Sequence, residues 1–400
     1  MGINKKDIIR LHSNVKITKK SGHWTFSFDS KTLHLPPQVL KVVDVFQEWI
    51  SIEEGFKKIN NIFNDKKDSL STFSTFHKLL KEGFFETQNK RKQTFGFHSG
   101  KFDSFPVHLR MLNDSTRTFA FQKAIRDTVT KDDIVLDIGT GNGILAATAA
   151  LCGAKKVYAV ERTEFIEVAR AVFKANGLED KITLIKGDST KIELPEKATV
   201  LVSEIIGNDA FDEGILSTYS DAKKRLLTAN AKLIPSNIQV FVIPMEFEQK
   251  HRASKILNNQ AIQNWKNNYG INFSPFLDFN EEKEVQTKIN NIEIKKQKKL
   301  SSSIKVAEVN FYDDDYSVEN LECTFSIQEE GILNGYLIYF ETELSESNFL
   351  SLNPEKLSEH NHWALLSFCL PWEKAVQKGD TFKLNYELKQ LKSVVKITAE

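Results

Sequence analysis

Residues 134–143 read Ile-Val-Leu-Asp-Ile-Gly-Thr-Gly-Asn-Gly, an apolar run followed by glycines at alternate positions. The apolar run predicts a buried strand, and the glycines predict a turn into a helix whose first N–H groups can meet a ligand. Further strands are predicted at 157–161, 182–187 and 200–204, with a helix at 165–176. Strands that alternate with helices predict a doubly wound α/β fold with a parallel sheet, whose ligands bind at the carboxyl ends of the strands.

The glycine turn differs from the turn that binds a dinucleotide. That motif has a glycine three residues after its second one, where this chain has Ile144, and Asp137 at the strand end disfavours a pyrophosphate. S-adenosylmethionine fits better, because its amino-acid end is zwitterionic and its ribose hydroxyls need a carboxylate. Glu161 ends the second strand, where those hydroxyls would lie, and Asp188 follows the third, where adenine would lie. We therefore expect this cofactor rather than a glycine turn that serves packing alone.

An acidic loop follows the fourth predicted strand. Residues 203–213 read Ser-Glu-Ile-Ile-Gly-Asn-Asp-Ala-Phe-Asp-Glu, with four carboxylates and no base. Two carboxylates that close back on one another in a hairpin present parallel acceptors, which suit the planar N–H fork of a guanidinium group. Glu204 and Glu213 are the predicted pair. Asp209 and Asp212 are expected to be solvated acids that add negative potential.

The acidic loop resembles the double-glutamate loop of the protein arginine methyltransferases, and three further segments resemble motifs of that family in the same order. Residues 111–118 are similar to the helix before the cofactor domain, 264–274 to the dimerisation arm, and Asn-His-Trp at 361–363 to the family's Thr-His-Trp loop. The resemblance covers roughly residues 98–400. It implies an enzyme that transfers methyl groups from S-adenosylmethionine to an arginine guanidinium in a peptide or protein, as a homodimer.

The resemblance also implies a role for each matched residue. Arg117 would contact the carboxylate of the cofactor, the two glutamates of the acidic loop would clamp the substrate guanidinium, and His362 would pair with Asp114. The implied site residues are, for catalysis, Asp114, Glu204, Glu213 and His362; for the cofactor, His108, Arg117, Asp137, Gly139, Gly141, Glu161, Asp188 and Thr190; and for the acceptor pocket, Phe102, Phe105, Met111 and Trp363.

Two departures from the family pattern leave alternatives open. Phe102 and Phe105 stand in the segment that is rich in tyrosine in the family, so both phenolic hydroxyls are missing. Thr190 stands where the family often has a glutamate for adenine, which leaves Asp188 or a backbone group for that contact. An acceptor other than arginine therefore stays open, as does a catalytically silent module that binds peptide. The intact glutamate pair and histidine favour the enzyme.

The chain after Pro235 changes to strands with alternating apolar residues, which predict a β-barrel. The predicted strands are Gln239–Ile243, Val306–Phe311, Tyr336–Leu344, Trp363–Leu370, Phe382–Leu388 and Val394–Thr398, with a helical insertion near 255–269. We predict three domains: residues 1–93, an S-adenosylmethionine-binding domain at 94–235, and a barrel domain at 236–400 with a dimerisation arm at about 250–285.

The first 93 residues are predicted to form a small domain of three helices with a short hairpin around residues 24–28. Apolar residues share one face of a first helix, Ser51 with Glu54 caps a second, and a third stops at Gly83; the first face comprises Val39, Val43, Phe46 and Ile50. This pattern resembles winged-helix domains that recognise leader peptides, which would add a strand to a sheet edge. A DNA-binding winged helix is the alternative, disfavoured because the helix at 71–81 has few basic residues. Residues 89–93 are expected to be a linker.

Composition excludes several classes of protein. With 54 Lys+Arg against 53 Asp+Glu, the net charge is +1, so binding of nucleic acid through a global basic excess is disfavoured. The 3 cysteines are too scattered for a disulfide framework or a paired metal site, which favours a reducing cytoplasm and predicts no metal. No signal sequence, lipidation motif or membrane-spanning apolar run is found in the sequence.

Overall fold

The computed structural model describes residues 7–20, 23–29, 31–62, 66–87, 104–253, 255–280, 283–357 and 361–399. The chain divides into two compact units, residues 1–96 and residues 97–400. No helix in these described ranges is long and apolar enough to cross a membrane.

The first unit contains two small antiparallel sheets and three helices. Its elements are β1 (Ile8–Leu11), β2 (Lys16–Lys20), β3 (His23–Phe28), β4 (Lys31–Leu35), α1 (Val39–Val45), β5 (Ile50–Ser51), α2 (Ile52–Ile62), α3 (Lys66–Lys81) and β6 (Phe85–Thr87). The strand orders are β5-β1-β6 and β2-β3-β4, so the predicted hairpin is one part of a three-stranded sheet. The winged-helix assignment stays a prediction.

Local signals in this unit are mostly as predicted, with one correction. The Glu54 N–H donates to Ser51 Oγ at 3.2 Å, as in the predicted cap. Gly83 has φ +80 and follows the last turn of α3. Ile50, however, lies in β5 and not on the first helix, because α1 ends at Val45. The carbonyl of Phe46 accepts the Leu11 N–H of β1 at 2.7 Å, so the sheet takes the group that would have continued the helix.

The second unit begins with a parallel α/β domain. Its elements are α4 (Phe105–Asn113), α5 (Ser115–Thr128), β7 (Ile134–Ile138), α6 (Ile144–Leu151), β8 (Lys156–Glu161), α7 (Ile166–Ala175), β9 (Ile182–Lys186), β10 (Ala198–Val202), α8 (Ile215–Arg225) and β11 (Leu227–Ile234). The strand order is β11-β10-β7-β8-β9, with every neighbouring pair parallel. The order reverses between β7 and β10, and the crevice at their carboxyl ends is where such sheets bind ligands.

The rest of the second unit is built from two antiparallel sheets. Its elements are β12 (Asn237–Glu246), α9 (Gln249–Arg252), α10 (Asn259–Tyr269), a 3₁₀ helix (Ser274–Phe279), β13 (Val285–Ile289), α11 (Asn291–Ile294), β14 (Lys298–Lys299), β15 (Ile304–Asn310), β16 (Leu321–Ser326), β17 (Gly331–Ser345), β18 (Asn348–Ser351), β19 (Leu365–Val376), β20 (Thr381–Lys389) and β21 (Lys392–Ala399). One sheet has the path β13-β19-β17-β12-β14, and the other has the order β16-β20-β21. Trp363 was predicted to begin a strand but lies in the loop before β19.

Specific contacts join the parallel and antiparallel parts of this unit. Lys223 in the last turn of α8 donates to three successive carbonyl groups after β15, those of residues 311–313, at 3.1, 3.0 and 2.6 Å. The Asn348 amide donates to the carbonyl of Ala120 on α5 at 2.8 Å. These contacts hold the barrel against the parallel domain, so loops from both parts can contribute to one site.

Candidate functional site

The glycine turn between β7 and α6 has a conformation that requires glycine. Gly139 and Gly141 have φ values of +77 and +52, and added Cβ atoms would lie 2.8 Å from Ile205 and 2.7 Å from the His108 ring. The N–H groups of Gly139 and Thr140 donate to the carbonyl of Val160 on β8 at 2.9 and 3.0 Å. The backbone is therefore fixed close to His108 and Ile205, and the two glycines place no side chain there.

Asp137 contributes a buried carboxylate with one unpaired oxygen. Its Oδ2 accepts the Thr140 hydroxyl at 2.6 Å and the Ala146 N–H at 3.0 Å. Its Oδ1 has no hydrogen-bond partner. Burial first, and the like charge of Glu161, raise the pKa of Asp137 to about 7 against the opposing hydrogen bonds. An unpaired buried acceptor of this kind is satisfied by a cationic N–H group.

Glu161 lies at the end of β8, beside the turn. Its Oε2 accepts the Gly141 N–H at 2.9 Å, and its Oε1 accepts the Thr163 N–H at 2.8 Å. Each oxygen keeps a second lone pair, so the carboxylate can still accept from hydroxyl groups. Its orientation is set by the turn it supports.

Arg117 and Glu204 form a buried ion pair. Arg117 Nη1 lies 3.1 Å from Glu204 Oε2, and the two side chains are 3% and 5% exposed. The Nε of Arg117 has no hydrogen-bond partner, so the guanidinium has a donor left for a ligand carboxylate. The structure thus joins the predicted cofactor arginine to the predicted clamp glutamate, a contact that no local sequence pattern signals.

His108, Asp188 and Thr190 lie around the same crevice or at its edge. The His108 ring stacks on Phe165, with ring centroids 3.6 Å apart and an interplanar angle of 11°. Thr190 donates to Asp188 Oδ1 through its N–H at 3.0 Å and its hydroxyl at 2.8 Å, and these bonds lower the pKa of Asp188. Both residues of that pair are exposed, immediately beyond β9.

These residues fit S-adenosylmethionine, which requires partners for a carboxylate, an ammonium group and ribose hydroxyls. Arg117 offers an unpaired guanidinium Nε, Asp137 offers an unpaired oxygen, and Glu161 offers further acceptor capacity. The glycine turn lets a ligand approach the backbone closely. The carboxylates of Asp137 and Glu161, which bond to the described residues of the glycine turn, disfavour a phosphate group there.

The acidic loop folds back on itself at Gly207. A Cβ at this position would collide with the Asp212 carboxylate, because its Oδ1 would lie only 1.4 Å away. Glu204 is buried, and its Oε1 accepts the Ile206 N–H at 3.2 Å. Glu213 is exposed at the other end of the loop. The chain between the two glutamates therefore folds back as a hairpin requires, and their pairing as a clamp stays a prediction.

The pKa of Glu213 is raised to about 8. Removal of water by the surrounding chain is the first cause, although part of the side chain remains accessible, and the like charges of Glu204 and Asp212 add to it. Arg162 opposes the shift. The carboxyl group therefore takes up a proton near neutral pH in the absence of a bound cation, and a guanidinium would displace that proton.

Asp209 corrects a prediction. It was expected to be a solvated acid, but it is 4% exposed and bound to the last strand of the barrel. Its Oδ2 accepts the Ser393 N–H at 2.7 Å, and its Oδ1 accepts the Ser393 hydroxyl at 2.6 Å. Burial raises the pKa of Asp209, and the Ser393 donors oppose this rise. Asp212 is exposed, as predicted.

Trp363 and its neighbour hold the acidic loop from the first barrel sheet. The Trp363 indole N–H donates to the carbonyl of Ile206 at 2.8 Å, and the Ala364 N–H donates to Asn208 Oδ1 at 2.7 Å. Trp363 was predicted to be a wall of the acceptor pocket. Only 4% of its surface is exposed, so it supports the loop through its hydrogen bond to Ile206 and offers a ligand little surface.

His362 and Asp114 form the predicted pair. Both the backbone N–H and the Nδ1 of His362 lie 3.0 Å from Asp114 Oδ2. The other oxygen of Asp114 caps α5 by accepting the Arg117 N–H at 3.0 Å. Burial works to raise the pKa of Asp114, but the donors from His362 and Arg117 outweigh it and lower the pKa. The carboxylate therefore links the barrel loop to the helix that presents Arg117.

The remaining residues predicted for the acceptor pocket lie on or near α4. Phe102 is outside the described residues. Phe105 is 48% exposed, and its ring centroid lies 5.1 Å from that of Phe165. Met111 is half-buried, and its carbonyl accepts the Thr118 hydroxyl at 3.5 Å. Both residues lie on α4, the helix that also carries His108.

Two residues outside the acidic loop that hold it were not predicted from the sequence: Ala364 and Ser393. Their contacts with the loop span 156 and 184 residues, so no local pattern signals them. One clue was available, since Asp209 is followed directly by two apolar residues, Ala210 and Phe211, which favour burial of this part of the loop.

Two family models match the second unit. Residues 116–265 match the model described as ribosomal protein L11 methyltransferase (PrmA), and residues 240–396 match the arginine methyltransferase oligomerization subdomain. The matches cover the parallel domain and the barrel, respectively.

Named relatives are similar over the same region. Protein arginine N-methyltransferase 1 of Saccharomyces cerevisiae is 25% identical over 309 residues, which cover 74% of this chain and 84% of that protein. The histone-arginine methyltransferase CARMER of Drosophila persimilis is 29% identical over 277 residues, 68% of this chain and 51% of that protein. A probable histone-arginine methyltransferase 1.4 of Arabidopsis thaliana is 38% identical over 168 residues, 41% of this chain and 31% of that protein. The chain spans about half the length of the fly relative.

Solved structures share the fold. A Trypanosoma brucei PRMT1 enzyme–prozyme heterotetrameric complex with AdoHcy has a TM-score of 0.63 at 24% identity, over 75% of this chain and 95% of that one. Protein arginine methyltransferase 10 of Arabidopsis thaliana has a TM-score of 0.61 at 24% identity, over 74% and 93%. This likeness confirms the predicted α/β domain followed by a β-barrel domain.

Proposed function

The chain belongs to the protein arginine methyltransferase family, and we propose that it transfers methyl groups from S-adenosylmethionine to an arginine guanidinium nitrogen in a peptide or protein. One observation carries this proposal for the site itself. The acidic loop presents Glu204 and Glu213 from the carboxyl end of β10, and Glu204 already holds the buried guanidinium of Arg117 at 3.1 Å. This contact is an ion pair without hydrogen-bond geometry at Nη1, so the loop already pairs by charge with one guanidinium group.

When bound, S-adenosylmethionine supplies a methyl group activated by a positively charged sulfur. The residues that would hold it are Arg117 for its carboxylate, Asp137 for its ammonium group and Glu161 for its ribose hydroxyls. An ammonium beside Asp137 would favour the ionised carboxylate, although the pKa of that group is about 7 without a ligand. His108 and the glycine turn would close the crevice around the amino-acid end.

Glu204 and Glu213 would bind the substrate guanidinium through parallel hydrogen bonds and aim one nitrogen at the methyl group. The rate gain would come mainly from positioning and from fixed negative charge. Arrival of the cation would release the proton that Glu213 holds near neutral pH. Glu204 has a second task, because it also fixes the buried guanidinium of Arg117.

The His362–Asp114 pair would hold the pocket and present a basic nitrogen. Because Asp114 stays ionised and accepts from the Nδ1 side, the proton of a neutral His362 belongs on Nδ1, which leaves Nε2 as the acceptor. That nitrogen would take up the proton released from the methylated guanidinium.

The direct test combines labelled S-adenosylmethionine with a library of arginine-containing peptides and maps the methylated atom by mass spectrometry. Label on an arginine nitrogen is expected. Glu204→Gln should abolish transfer, and a variant of the exposed Glu179, which lies in the loop after α7, should not. Label on another residue would show that the acceptor is not arginine. Failure of S-adenosylhomocysteine to bind in a calorimetric titration would refute the proposal that the protein is a methyltransferase.

We also propose a homodimer formed through the arm. The arm carries exposed apolar side chains on α10, on the segment after it and on the 3₁₀ helix; they are Tyr269, Ile271, Phe276 and Phe279. A second exposed apolar set lies on α4 and α5; it comprises Phe105, Leu109, Leu112 and Phe119. Each set would be covered if the arm of one protomer rested on these helices of its partner, and the mutual contact would close a two-fold dimer.

We propose three functional domains at 1–93, 94–235 and 236–400, with the first serving as a docking site for a leader segment of the substrate. In sheet β2-β3-β4, the outer strands each pair on one side only among the described residues, and such an edge can accept a peptide strand. Deletion of residues 1–96 should raise KM for the cognate substrate and leave turnover of a minimal arginine peptide unchanged. An unchanged KM would refute the docking role.

We further propose that the protein works in the cytoplasm. Cys152, Cys323 and Cys369 are all free in the structure, and a reducing compartment keeps such thiols unpaired. Fractionation of the native cell, followed by immunoblotting, would test this location.

A further inference from the structure

Asp209 uses both carboxylate oxygens to hold one distant residue. Its two oxygens accept the N–H and the hydroxyl of Ser393 at 2.7 and 2.6 Å, across 184 positions of sequence. Ser393 is the second residue of β21. A buried carboxylate is unfavourable unless hydrogen bonds replace its lost water, so two short bonds at one residue mark a specific link and not a passive loop position.

The link continues into the interior of the barrel. The Tyr386 hydroxyl lies 3.1 Å from Ser393 Oγ, and Tyr386 is fully buried on β20. Because the single hydroxyl proton of Ser393 goes to the carboxylate, Tyr386 must be the donor to Ser393. The chain of donors therefore runs from Tyr386 through Ser393 to Asp209, and the barrel core determines where the carboxylate lies.

Within the described ranges, this link attaches the acidic loop to a sheet of the barrel that the other hydrogen bonds of the loop do not reach. Trp363 and Ala364 hold Ile206 and Asn208 from the segment that leads into β19, in the first sheet. Among the described residues, the bonds to Ser393 are the ones that join the loop to sheet β16-β20-β21. The loop is thus held between two sheets at closely spaced positions.

The second glutamate of the loop follows directly from the Asp209 turn. The Asp212 N–H donates to the carbonyl of Asp209 at 2.7 Å, and the Gly214 N–H donates to that of Phe211 at 3.1 Å. Two successive turns therefore carry the chain from Asp209 to Glu213. Glu204 is fixed separately, by β10 and by Arg117.

We infer that Asp209 is a positioning residue for the acceptor: through Ser393 it fixes Glu213 relative to Glu204, so that both carboxylates meet one guanidinium. This inference rests on the clamp role proposed above for the two glutamates. Asp209 itself does not touch the substrate. Asp209 acts by geometry through its two hydrogen bonds to Ser393, and its negative charge is not itself required.

The test compares Asp209→Ala, Asp209→Asn and Ser393→Ala with the unaltered chain. Since misplacement by about 1 Å at a reacting centre lowers rates by about a hundredfold, we expect Asp209→Ala to lower kcat/KM for an arginine peptide by about 10- to 100-fold. Ser393→Ala keeps the backbone donor and should lose about 3- to 10-fold. Asp209→Asn can accept the Ser393 N–H and donate to its hydroxyl, so it should stay within about threefold.

Two controls separate positioning from general damage. The affinity for S-adenosylhomocysteine, measured by calorimetry, should change by less than about twofold in all three variants, because the cofactor residues lie outside the loop. The double variant of Asp209→Ala with Ser393→Ala should be no worse than Asp209→Ala alone, because both remove the same link. Additive losses, or an unchanged kcat/KM in Asp209→Ala, would overturn the inference. Equal losses in Asp209→Asn and Asp209→Ala would assign the effect to charge and overturn it too.

Hydrogen–deuterium exchange of residues 204–213 gives a readout that does not depend on activity. Faster exchange in Asp209→Ala, with cofactor affinity intact, is expected, and unchanged exchange would contradict the inference. If the unaltered chain methylates no arginine peptide, the proposed function fails while this readout still decides whether Asp209 orders the loop. If Asp209→Ala does not fold, the kcat/KM values of the other two variants decide. A higher value in Asp209→Asn than in Ser393→Ala is expected, and the reverse order would overturn the inference.

Discussion

Glu213 is the residue whose titration should control acceptor binding. Its pKa is raised to about 8, and a guanidinium binds the ionised carboxylate, so binding requires loss of a proton below that pH. We therefore expect kcat/KM for an arginine peptide to rise with pH and level off above about 8. In Glu213→Gln, kcat/KM should be much lower, and its rise with pH below about 8 should disappear. Saturating S-adenosylmethionine in the assay prevents the titration of Asp137 from contributing.

The same pKa shift has the opposite sign for stability. The folded pKa lies above the unfolded value of 4.5, so the folded chain holds more protons between these values and its stability falls as pH rises from about 4.5 through about 8. Glu213 thus opposes folding under the conditions where it binds substrate.

If kcat/KM rose with pH in Glu213→Gln as it does in the unaltered chain, the titration of another group would control acceptor binding.

Gly141 offers a second test at the residue scale. Alanine here would be strained by the φ of +52 and would also bring a Cβ within 2.7 Å of the His108 ring. We expect Gly141→Ala to weaken S-adenosylhomocysteine binding at least tenfold by calorimetry. Gly177→Ala is the matched control, because Gly177 has φ +65 with nothing within 4 Å. Both variants should lose about 1–2 kcal/mol of stability through strain, and only Gly141→Ala should lose affinity. Equal affinities would refute a cofactor role for the turn.

At the scale of elements, four of the five strands of the parallel sheet were predicted to within about two residues, whereas β11 and the loops were not predicted. β7 is buried along its whole length, so its apolar run has clear limits. Ile50 was assigned to a helix because helical spacing and a buried strand position can coincide, and the competing bond from Leu11 to Phe46 is long-range. The Asp209–Ser393 link also depends on tertiary contact. Local patterns therefore predict the framework of the site, while the placement of its loops requires the folded chain.

Asp133 joins three elements at the amino end of the parallel sheet. It accepts hydrogen bonds from Thr130, from Thr199 on β10 and from Lys232 on β11, all at 2.8 Å. Burial works to raise its pKa, but these donors lower the pKa to about 2 from 3.8. A shift of this size corresponds to about 2 kcal/mol of stability at neutral pH.

Replacement of Asp133 should therefore destabilise the parallel sheet in a pH-dependent way. Asp133→Asn should lower the free energy of unfolding by about 2 kcal/mol at pH 7, measured with urea. Because the folded pKa is depressed, the contribution is complete above the unfolded pKa and is lost as pH falls through about 2. The deficit should shrink below about pH 4. Asp132→Asn, at the exposed neighbouring position, should change stability little at any pH. A deficit that did not vary with pH would contradict the electrostatic origin.

For the whole molecule, the charge balance conceals an unequal division between the two units. Residues 1–96 contain 17 Lys+Arg and 10 Asp+Glu, a net charge of +7, so the remaining residues carry −6 to give the total of +1. An acidic second unit would attract an arginine-rich acceptor toward the acidic loop, whereas a basic first unit would favour an acidic leader segment. The two proposed segments of one substrate, the leader and the acceptor, thus differ in the charge that recruits them.

The arm links assembly of the whole molecule to its activity. In the arm, the Trp265 ring contacts Phe273 and Phe276, with centroids 5.8 and 6.1 Å apart, and so joins α10 to the following 3₁₀ helix. Trp265 is half-buried, whereas Tyr269 is 64% exposed. We expect Trp265→Ala to disorder the apolar surface that would rest on α4 and α5 of a partner subunit.

Loss of this surface should reduce association and activity together. Because α4 carries His108 and α5 carries Arg117, a partner that rests on these helices would order the cofactor crevice, so a monomer should bind S-adenosylhomocysteine at least about tenfold more weakly. Sedimentation velocity should show the unaltered chain as a dimer and Trp265→Ala as a monomer, and high protein concentration should restore affinity. Lys266→Ala, at the exposed adjacent position, is the matched control and should remain dimeric. A monomeric Trp265→Ala variant with full affinity would separate assembly from cofactor binding, and a dimeric one would exclude the arm as the interface.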